Sequence, residues 1–275
     1  MLKSLVEKNY KKGGLFLKDF LAEILKQNSI EYYGFCDFLP FEKELLNCSA
    51  KMRLPKNSKT IITMLFPYKV LEDKPLNISR YAAVEDYHFV CEKILKNIVK
   101  SLSEKFKDFK FEWFIDNSPI KEVKAAVLSG LGVVGENNLL INEKYGSFCF
   151  IGEIVTDYKI QTVENNITDC IKCGACKNAC PTGFLKDKNL KCLSAITQQK
   201  AELSKEEIAL IRENKSVWGC DICQNVCPMN KNSSLTPIKD FINSYRNEFK
   251  EDEDFKNRAY TWRGEKVIKR NLKIM

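Results

Sequence analysis

The sequence lacks long apolar segments and is nearly without histidine. No uninterrupted apolar run approaches the ~20 residues of a membrane helix, so we expect no membrane partner. Residues 1–27 carry charges throughout and contain no secretory apolar region, so we expect a cytoplasmic protein. His88 is the only histidine, which excludes metal sites built from several histidines and haem with two histidine ligands. A lone histidine is more often a hydrogen-bonded structural residue than a ligand.

The composition is that of a globular protein with an uneven cysteine distribution. Apolar residues make up 44% of the 275 positions and aromatic residues 11%, which argues against disorder. A disulfide framework is unexpected in a reducing compartment. Of the twelve cysteines, eight lie between positions 170 and 227. The four scattered ones are interpreted as buried small hydrophobes: Cys36, Cys48, Cys91 and Cys149.

The order of elements favours a mixed architecture. The residue pattern predicts helices over 15–27, 88–103 and 119–129, strands over 60–66 and 111–116, and two strands about a Tyr-Gly turn within 139–155. This mixture predicts an α/β domain, or a layered α+β domain, over residues 1–160. From Asp169 onward, cysteine, glycine and proline recur at short intervals, which predicts a ferredoxin-like two-cluster domain over 161–235. A basic helical tail is predicted over 236–275. Ser204 and Glu207 form a capping-box pattern for a helix over 204–213.

Seven of the eight clustered cysteines fall in two runs, each closed by a Cys-Pro pair. The runs are Cys170-x2-Cys173-x2-Cys176-x3-Cys180-Pro181 and Cys220-x2-Cys223-x3-Cys227-Pro228, with Cys192 between them. Three thiolates at two-residue intervals can wrap one cubane, and the fourth then serves the other cluster. This crossed pattern predicts a first [4Fe–4S] cluster on Cys170, Cys173, Cys176 and Cys227, and a second on Cys180, Cys192, Cys220 and Cys223.

Zinc is the alternative occupant, because CxxC pairs also bind zinc. The third cysteine of the first run and the two Cys-Pro endings favour iron–sulfur clusters instead. Such clusters pass single electrons, so this segment predicts electron transfer without naming the acceptor.

The segment Gly130-Leu131-Gly132-Val133-Val134-Gly135 matches the dinucleotide fingerprint GxGxxG. Here a helical pattern precedes the glycines and a strand-like one follows, which is the reverse of the Rossmann context. We interpret the segment as a tight loop that lets a large planar cofactor approach the backbone.

Asp116 lies where a predicted strand runs into the turn Asn117-Ser118-Pro119. A catalytic acid is often found in this position, although a helix cap would look the same.

The C-terminal residues 256–275 are strongly basic. They hold seven Lys or Arg against the single acid Glu265, with Tyr260 and Trp262 among them. Such a segment suits a phosphate-rich partner, and a solvated basic helix end is the competing interpretation.

Taken together, these motifs resemble the epoxyqueuosine reductase family over roughly residues 30 to 275. The resemblance rests on Ser79-Arg80-Tyr81-Ala82 leading to Asp86-Tyr87-His88, on Ile115-Asp116-Asn117-Ser118-Pro119, on the Gly130 segment through Asn137, on Gly146-Ser147-Phe148 with Gly152-Glu153-Ile154, on the cysteine pattern, and on Lys269-Arg270-Asn271-Leu272. Glu136 stands where the family often has lysine. The chain resembles a short form without the family's C-terminal helical-repeat domain.

The resemblance implies a base-off cobalamin held by a nitroreductase-like domain, and an enzyme that converts epoxyqueuosine in tRNA to queuosine. Co(I) cobalamin would be reduced through the two clusters, with reduced flavodoxin or ferredoxin as electron donor. Asp116 matches the proposed proton donor. The implied cobalamin-site residues are Asp86, His88, Asp116, Asn137, Leu140 and Ile151. The anticodon stem-loop of tRNA would meet Lys200, Arg263, Lys266, Lys269 and Arg270.

Two other functions fit the same residues. The chain could be a corrinoid and iron–sulfur reductase that acts on a smaller substrate, or a plain ferredoxin-type electron carrier. The 160-residue segment ahead of the cysteines argues against the carrier, because carrying electrons does not require it.

Overall fold

The computed structural model describes residues 16–163, 165–251 and 255–275. The chain separates into two compact units, each assembled from several segments. The first unit contains the described residues up to Phe66, together with Cys91–Gly132 and Phe150–Thr168. The second contains Pro67–Val90, Val133–Cys149 and Asp169–Met275.

The elements alternate between strands and helices along the chain. The strands are β1 (Tyr33–Asp37), β2 (Thr60–Pro67), β3 (Phe111–Ile115), β4 (Val133–Val134), β5 (Leu140–Ile141) and β6 (Cys149–Thr156). The helices are α1 (16–27), α2 (Arg80–Ala83), α3 (Tyr87–Lys105), α4 (Glu122–Leu128), α5 (Ala175–Ala179), α6 (Leu193–Gln198), α7 (Lys205–Glu213), α8 (Ile222–Asn225), α9 (Lys239–Ser244) and α10 (Glu265–Ile274). Short 3-10 helices occupy Leu39–Phe41, Ser49–Arg53, Pro228–Asn230 and Thr261–Arg263. No helix among the described residues is long and apolar enough to cross a membrane.

A four-stranded sheet with the order β1-β2-β6-β3 organises the first unit. The pairs β1–β2 and β3–β6 are antiparallel, so the architecture is α+β rather than a parallel α/β sheet. Every residue of β2 is buried, as expected for a central strand covered on both faces. One face of the sheet packs into an apolar cluster with α4 that includes Ile61, Phe114 and Ala125.

Several predicted elements are confirmed with small changes in their ends. The predicted strand 60–66 is β2, the predicted helix 88–103 is α3, and the helix over 204–213 has its capping box between Ser204 and Glu207. The strands predicted within 139–155 are β5 and β6. Leu15, the first residue of the predicted helix 15–27, lies outside the described residues.

Strand β1 was not predicted, because Gly34 interrupts its apolar pattern. The structure explains this glycine: a Cβ atom at position 34 would overlap the backbone carbonyl of Ser129. The glycine therefore permits close packing of the strand, although glycine is disfavoured in strands generally.

The units differ from the predicted linear domains 1–160, 161–235 and 236–275. Pro67–Val90 and Val133–Cys149 belong to the cysteine-bearing unit, because backbone hydrogen bonds tie them to it. Cys170 N–H donates to Val134 O at 2.8 Å. Ser79 N–H donates to Trp218 O at 2.7 Å, and Val217 N–H donates to Asn77 O at 2.7 Å. Such pairings cannot be read from composition, which changes only at Asp169.

The basic tail is also part of the second unit. Tyr260 is 1% exposed and packs with Trp218 and Phe249. Helix α10 packs against α6 and α7. The buried Asn271 amide donates to Thr197 O at 2.7 Å and to Val217 O at 2.9 Å. Tyr260 and Asn271 are buried within the second unit, so the tail is not only a solvated basic helix end.

The glycine-rich loop has the context that its sequence predicted. Helix α4 precedes it, and Gly130 ends that helix with φ +78°, a left-handed conformation that favours glycine. The short strand β4 follows and pairs antiparallel with β5. This order of elements is not that of a Rossmann fingerprint.

Candidate functional site

Four cysteines from the two runs line one small cavity in the second unit. They are Cys170, Cys173, Cys176 and Cys227, the four assigned to the first cluster. Helix α5, which carries Cys176, packs against α8, which lies just ahead of Cys227. The arrangement brings the distant Cys227 to the first run, as a crossed ligand set requires.

One residue that lines this cavity takes part in an ion pair. This residue, Glu136, accepts from the Lys177 ammonium at 2.6 Å. Lys177 lowers the pKa of Glu136, and Glu136 in turn raises the pKa of Lys177. The ion-pair partner of Glu136 therefore comes from the first cysteine run, where Lys177 directly follows Cys176.

Three of the cysteines assigned to the second cluster influence one another electrostatically. Burial raises the pKa of the Cys220 thiol to about 12, and Cys192 and Cys223 add to this shift. Burial also raises the pKa of Cys223 to about 11, opposed by a hydrogen bond from the Asn137 side chain and reinforced by Cys192. Thiolates in such surroundings need a cationic partner, and iron supplies one, because a thiol that coordinates a metal is deprotonated.

Cys180, the remaining cysteine, is placed among hydrogen-bond donors. Its desolvation is outweighed by the backbone N–H groups of Leu185, Thr182 and Phe184 and by the Thr182 hydroxyl, so its pKa lies below the ordinary value. Hydrogen bonds to a ligand sulfur stabilise the thiolate form that binds iron.

The eight cysteines of this segment form no disulfide. The four thiols at one cavity, the mutual influence of Cys192, Cys220 and Cys223, and the donors at Cys180 fit a pair of polynuclear clusters.

Asp116 lies in the first unit, at the exposed end of β3. Its φ angle is +56°, a left-handed conformation that is uncommon for residues other than glycine. Its carbonyl oxygen accepts from Ser118 N–H at 2.8 Å, and Asn117 N–H donates to Ile115 O at 2.6 Å. The predicted turn after the strand is therefore present, and it projects Asp116 from a conformation often associated with functional sites.

A buried carboxyl group forms a hydrogen bond with this turn. The Ser118 hydroxyl donates to Glu153 Oε2 in a short hydrogen bond and also accepts from Ile120 N–H at 3.1 Å. Glu153 lies in β6 opposite Phe114 and is completely buried. Its second oxygen, Oε1, has no hydrogen-bond partner among the residues that the structure describes. Burial raises the pKa of Glu153 to about 8, with the Ser118 hydroxyl opposing the shift.

The raised pKa of Glu153 predicts a pH-dependent stability. A folded-state pKa near 8 exceeds the ordinary 4.5, so the folded state holds the proton more tightly between these values. The free energy of unfolding should therefore decrease as pH rises from about 4.5 to 8, on the order of 1 kcal/mol per pH unit. Glu153→Gln cannot ionise, and its Tm should vary less over this range than that of the unsubstituted protein. Thermal unfolding at several pH values measures the difference.

The exposed Glu104→Gln serves as control and should retain the original pH dependence. An undiminished dependence in Glu153→Gln would show that the carboxyl group is ionised in the folded protein.

The implied cobalamin-site residues fall in both units. In the second unit, the His88 Nδ1 atom lies 2.7 Å from Asp86 Oδ1, and the His88 ring stacks on Tyr87 at 4.1 Å between ring centroids. Leu140 is buried in β5, in the same unit as Asn137. Ile151 is buried in β6 and belongs, like Asp116, to the first unit.

The sequence analysis did not identify two groups of buried polar residues near these sites. Glu153 was noted only as part of Gly152-Glu153-Ile154, and its apolar neighbours Ile151, Ile154 and Val155 are the signal of its burial. In the second unit, the buried Gln224 accepts from the Ser147 hydroxyl at 2.9 Å and donates to Asp221 Oδ1 at 3.2 Å. In the sequence, only the cysteine pattern around Asp221 and Gln224 pointed to this segment.

Two family models match separate parts of the chain. The model described as "4Fe-4S double cluster binding domain" matches residues 169–230, which include all eight clustered cysteines. The model described as "Epoxyqueuosine reductase QueG, DUF1730" matches residues 51–117. Fold and site thus define a double-cluster iron–sulfur protein with an α+β unit.

Relatives of known name extend the match over most of the chain. An epoxyqueuosine reductase of Lactococcus garvieae is 34% identical over 79% of this chain and 68% of the relative. One from Leadbetterella byssophila is 33% identical over 79% of this chain and 74% of the relative. The chain belongs to the epoxyqueuosine reductase family. It spans 61% of the Cyclobacterium marinum relative, which is 36% identical over 65% of this chain.

Solved structures show the same fold. The epoxyqueuosine reductase from Streptococcus thermophilus superposes with a TM-score of 0.74 at 26% identity, covering 94% of this chain and 80% of that one. An epoxyqueuosine reductase crystallised with an epoxyqueuosine-modified tRNA stem-loop superposes with a TM-score of 0.78 at 23% identity, covering 95% and 81%.

Proposed function

We propose that this protein reduces epoxyqueuosine to queuosine in tRNA. The reaction removes the epoxide oxygen as water and consumes two electrons and two protons. The observation that carries the proposal is the relation to the named reductases of Lactococcus garvieae and Leadbetterella byssophila over more than two thirds of their lengths. Reduced flavodoxin or ferredoxin is the proposed electron donor, and the protein is proposed to act in the cytoplasm.

The protein's own part in the chemistry centres on Asp116. Its carboxyl group would deliver a proton to the oxygen atom released from the opening epoxide ring. General acid assistance of this kind typically contributes ~10²–10⁴-fold to the rate. The turn held by Ser118 and Glu153 fixes the backbone from which Asp116 projects.

The cofactors supply the electron chemistry. Two [4Fe–4S] clusters on the eight cysteines supply single electrons, and base-off cobalamin supplies a strong reductant when bound. Asp86, His88, Asn137, Leu140 and Ile151 are the residues proposed to hold the cobalamin within a nitroreductase-like fold. The donor set fits this binding mode, because base-off cobalamin needs no histidine ligand and Asp86 already holds the chain's only imidazole.

The C-terminal cations divide into two groups. Arg270 has a structural role: its guanidinium donates to Ala201 O at 3.0 Å and to Asn271 Oδ1 at 3.0 and 3.1 Å, and burial lowers its pKa. Arg263 lies over the exposed Trp262 ring at 3.6 Å from its centroid. Lys266 is exposed, and Lys269 pairs with Glu265 on the surface at 2.9 Å. We therefore assign phosphate contact to Arg263, Lys266 and Lys269, with the exposed Lys200 beside Ala201.

Replacing Arg263, Lys266 and Lys269 together with glutamine should weaken binding of an epoxyqueuosine-modified anticodon stem-loop. Each phosphate contact contributes roughly one unit to the slope of log K against log salt, so the slope should flatten by up to about three. Filter binding at several salt concentrations measures both the affinity and the slope. Arg270→Gln should instead lower Tm, because it removes hydrogen bonds inside the second unit.

The matched control removes three exposed cations elsewhere: Lys43, Lys51 and Lys56. This variant should bind the stem-loop as the unsubstituted protein does. Equal salt slopes in both triple variants would remove the tail from tRNA recognition. Conversion of the stem-loop to the queuosine form, followed by mass spectrometry, tests the proposed reaction itself.

A further inference from the structure

A buried carboxylate lies within the ligand set of the second cluster. Asp221 directly follows Cys220 and precedes Cys223 by two positions, and it is 9% exposed. Asp221 and Cys220 also line the same cavity, so the carboxylate lies next to a thiolate that would hold the cluster.

Arg80 is the positive partner of this carboxylate. The Arg80 backbone N–H donates to Asp221 Oδ2 at 2.7 Å, and the guanidinium Nη1 lies 3.5 Å from the same oxygen. Nη1 also donates to Asn225 Oδ1 at the end of α8. The Arg80 side chain is 17% exposed and the Asp221 side chain 7%, so water screens this pair much less than a surface pair.

A second carboxylate faces the other edge of the guanidinium. Glu72 accepts from Arg80 Nε, and its Oε2 accepts from Nη2 at 2.9 Å, which is a bidentate arrangement. Glu72, Arg80, Asp221 and Cys220 line one cavity of about 280 Å³. The three groups Glu72, Arg80 and Asp221 form a row that ends beside a cluster ligand, and their formal charges sum to −1.

We infer that the row Glu72–Arg80–Asp221 sets the reduction potential of the second cluster. The inference rests on the assignment of Cys180, Cys192, Cys220 and Cys223 to that cluster, and not on the tRNA substrate. Reduction adds an electron, so a nearby negative charge disfavours it and a nearby positive charge favours it. The potential of an iron–sulfur cluster depends on such charges and on solvent exposure.

The three residues should act with different signs. Asp221→Asn removes the nearest negative charge and raises the potential. Arg80→Gln removes the positive charge and lowers it. Glu72→Gln raises the potential by less than Asp221→Asn, because its carboxylate is at the far end of the row. At an effective dielectric constant of ~20, one charge about 12 Å away changes the reduction equilibrium about tenfold, which equals ~59 mV for one electron, and a nearer charge changes it more.

The experiment is an anaerobic redox titration of the reconstituted two-cluster protein, followed by electron paramagnetic resonance. One of the two midpoint potentials should rise in Asp221→Asn and fall in Arg80→Gln, while the other stays unchanged. Arg80→Lys keeps the positive charge, so its midpoint potential should lie close to that of the unsubstituted protein. Iron content, measured first, shows whether each variant retains both clusters.

Asp169 provides a matched control. It directly precedes the ligand Cys170 and pairs with Lys172 at 2.6 Å, but its side chain is 53% exposed. Water screens an exposed pair, so Asp169→Asn should leave both potentials nearly unchanged.

Unchanged potentials in Asp221→Asn and Arg80→Gln with full iron content would overturn the inference, as would shifts of the same sign. If Arg80→Gln loses iron, Asp221→Asn and Glu72→Gln decide the outcome, since both keep the guanidinium. No tRNA or cobalamin enters the measurement, so its result is independent of the proposed reaction.

Discussion

Replacing Cys227 with alanine is expected to remove one [4Fe–4S] cluster and to leave the other intact. Iron should fall from about eight to about four atoms per chain, because two cubanes hold four irons each. Cys227 lines the same cavity as Cys170, Cys173 and Cys176, although it is only four positions from Cys223. Iron and sulfide analysis after anaerobic reconstitution gives the count, and electron paramagnetic resonance identifies the cluster that is lost.

The identity of the lost cluster is the decisive part of this prediction. Cys227→Ala and Cys173→Ala should lose the same resonance signal, and Cys223→Ala should lose the other. Cys48→Ala, in the first unit, should retain both clusters. Loss of the same signal in Cys227→Ala and Cys223→Ala would show that the second run serves a single cluster. Bound zinc without iron uptake would replace the cluster assignment with two zinc sites.

Asp116→Asn should reduce turnover by ~10² or more while both clusters are retained, which is the usual effect of losing a positioned general acid. Asparagine also tolerates the left-handed conformation that Asp116 adopts, so the turn should be preserved. Single-turnover conversion of an epoxyqueuosine-modified stem-loop measures the rate, and iron analysis confirms the clusters.

Two comparisons make this result specific. Asp108→Asn changes an exposed carboxylate of the same unit and should leave the rate unchanged. Ser118→Ala breaks the hydrogen bond to Glu153 and should reduce the rate less than Asp116→Asn, because the acid itself remains. A normal rate in Asp116→Asn would mean that another group supplies the proton.

Local periodicity was enough to find the elements with a clear pattern. Strand β2 is a continuous run of buried residues, and α7 begins with a capping box; both signals lie within one segment. Strand β1 was not predicted because Gly34 interrupts its apolar pattern. That glycine is explained only by its close contact with Ser129, nearly a hundred positions away in the sequence. The same limitation explains the domain boundaries, since segments 67–90 and 133–149 join the cysteine-bearing unit through distant backbone partners.

The sequence by itself determined the cluster chemistry, because cubane ligands must follow one another at fixed short intervals and leave a countable pattern. It also indicated Asp116, since a strand followed by a Ser-Pro turn is a local feature. Only the tertiary structure decided which charges surround these residues. Ser118 meets the buried Glu153 across 35 positions, and Arg80 meets Asp221 across 141. Burial strengthens the interaction between Arg80 and Asp221, because the effective dielectric constant is lower away from water. Burial depends on how the whole chain packs, so a local sequence pattern does not reveal it.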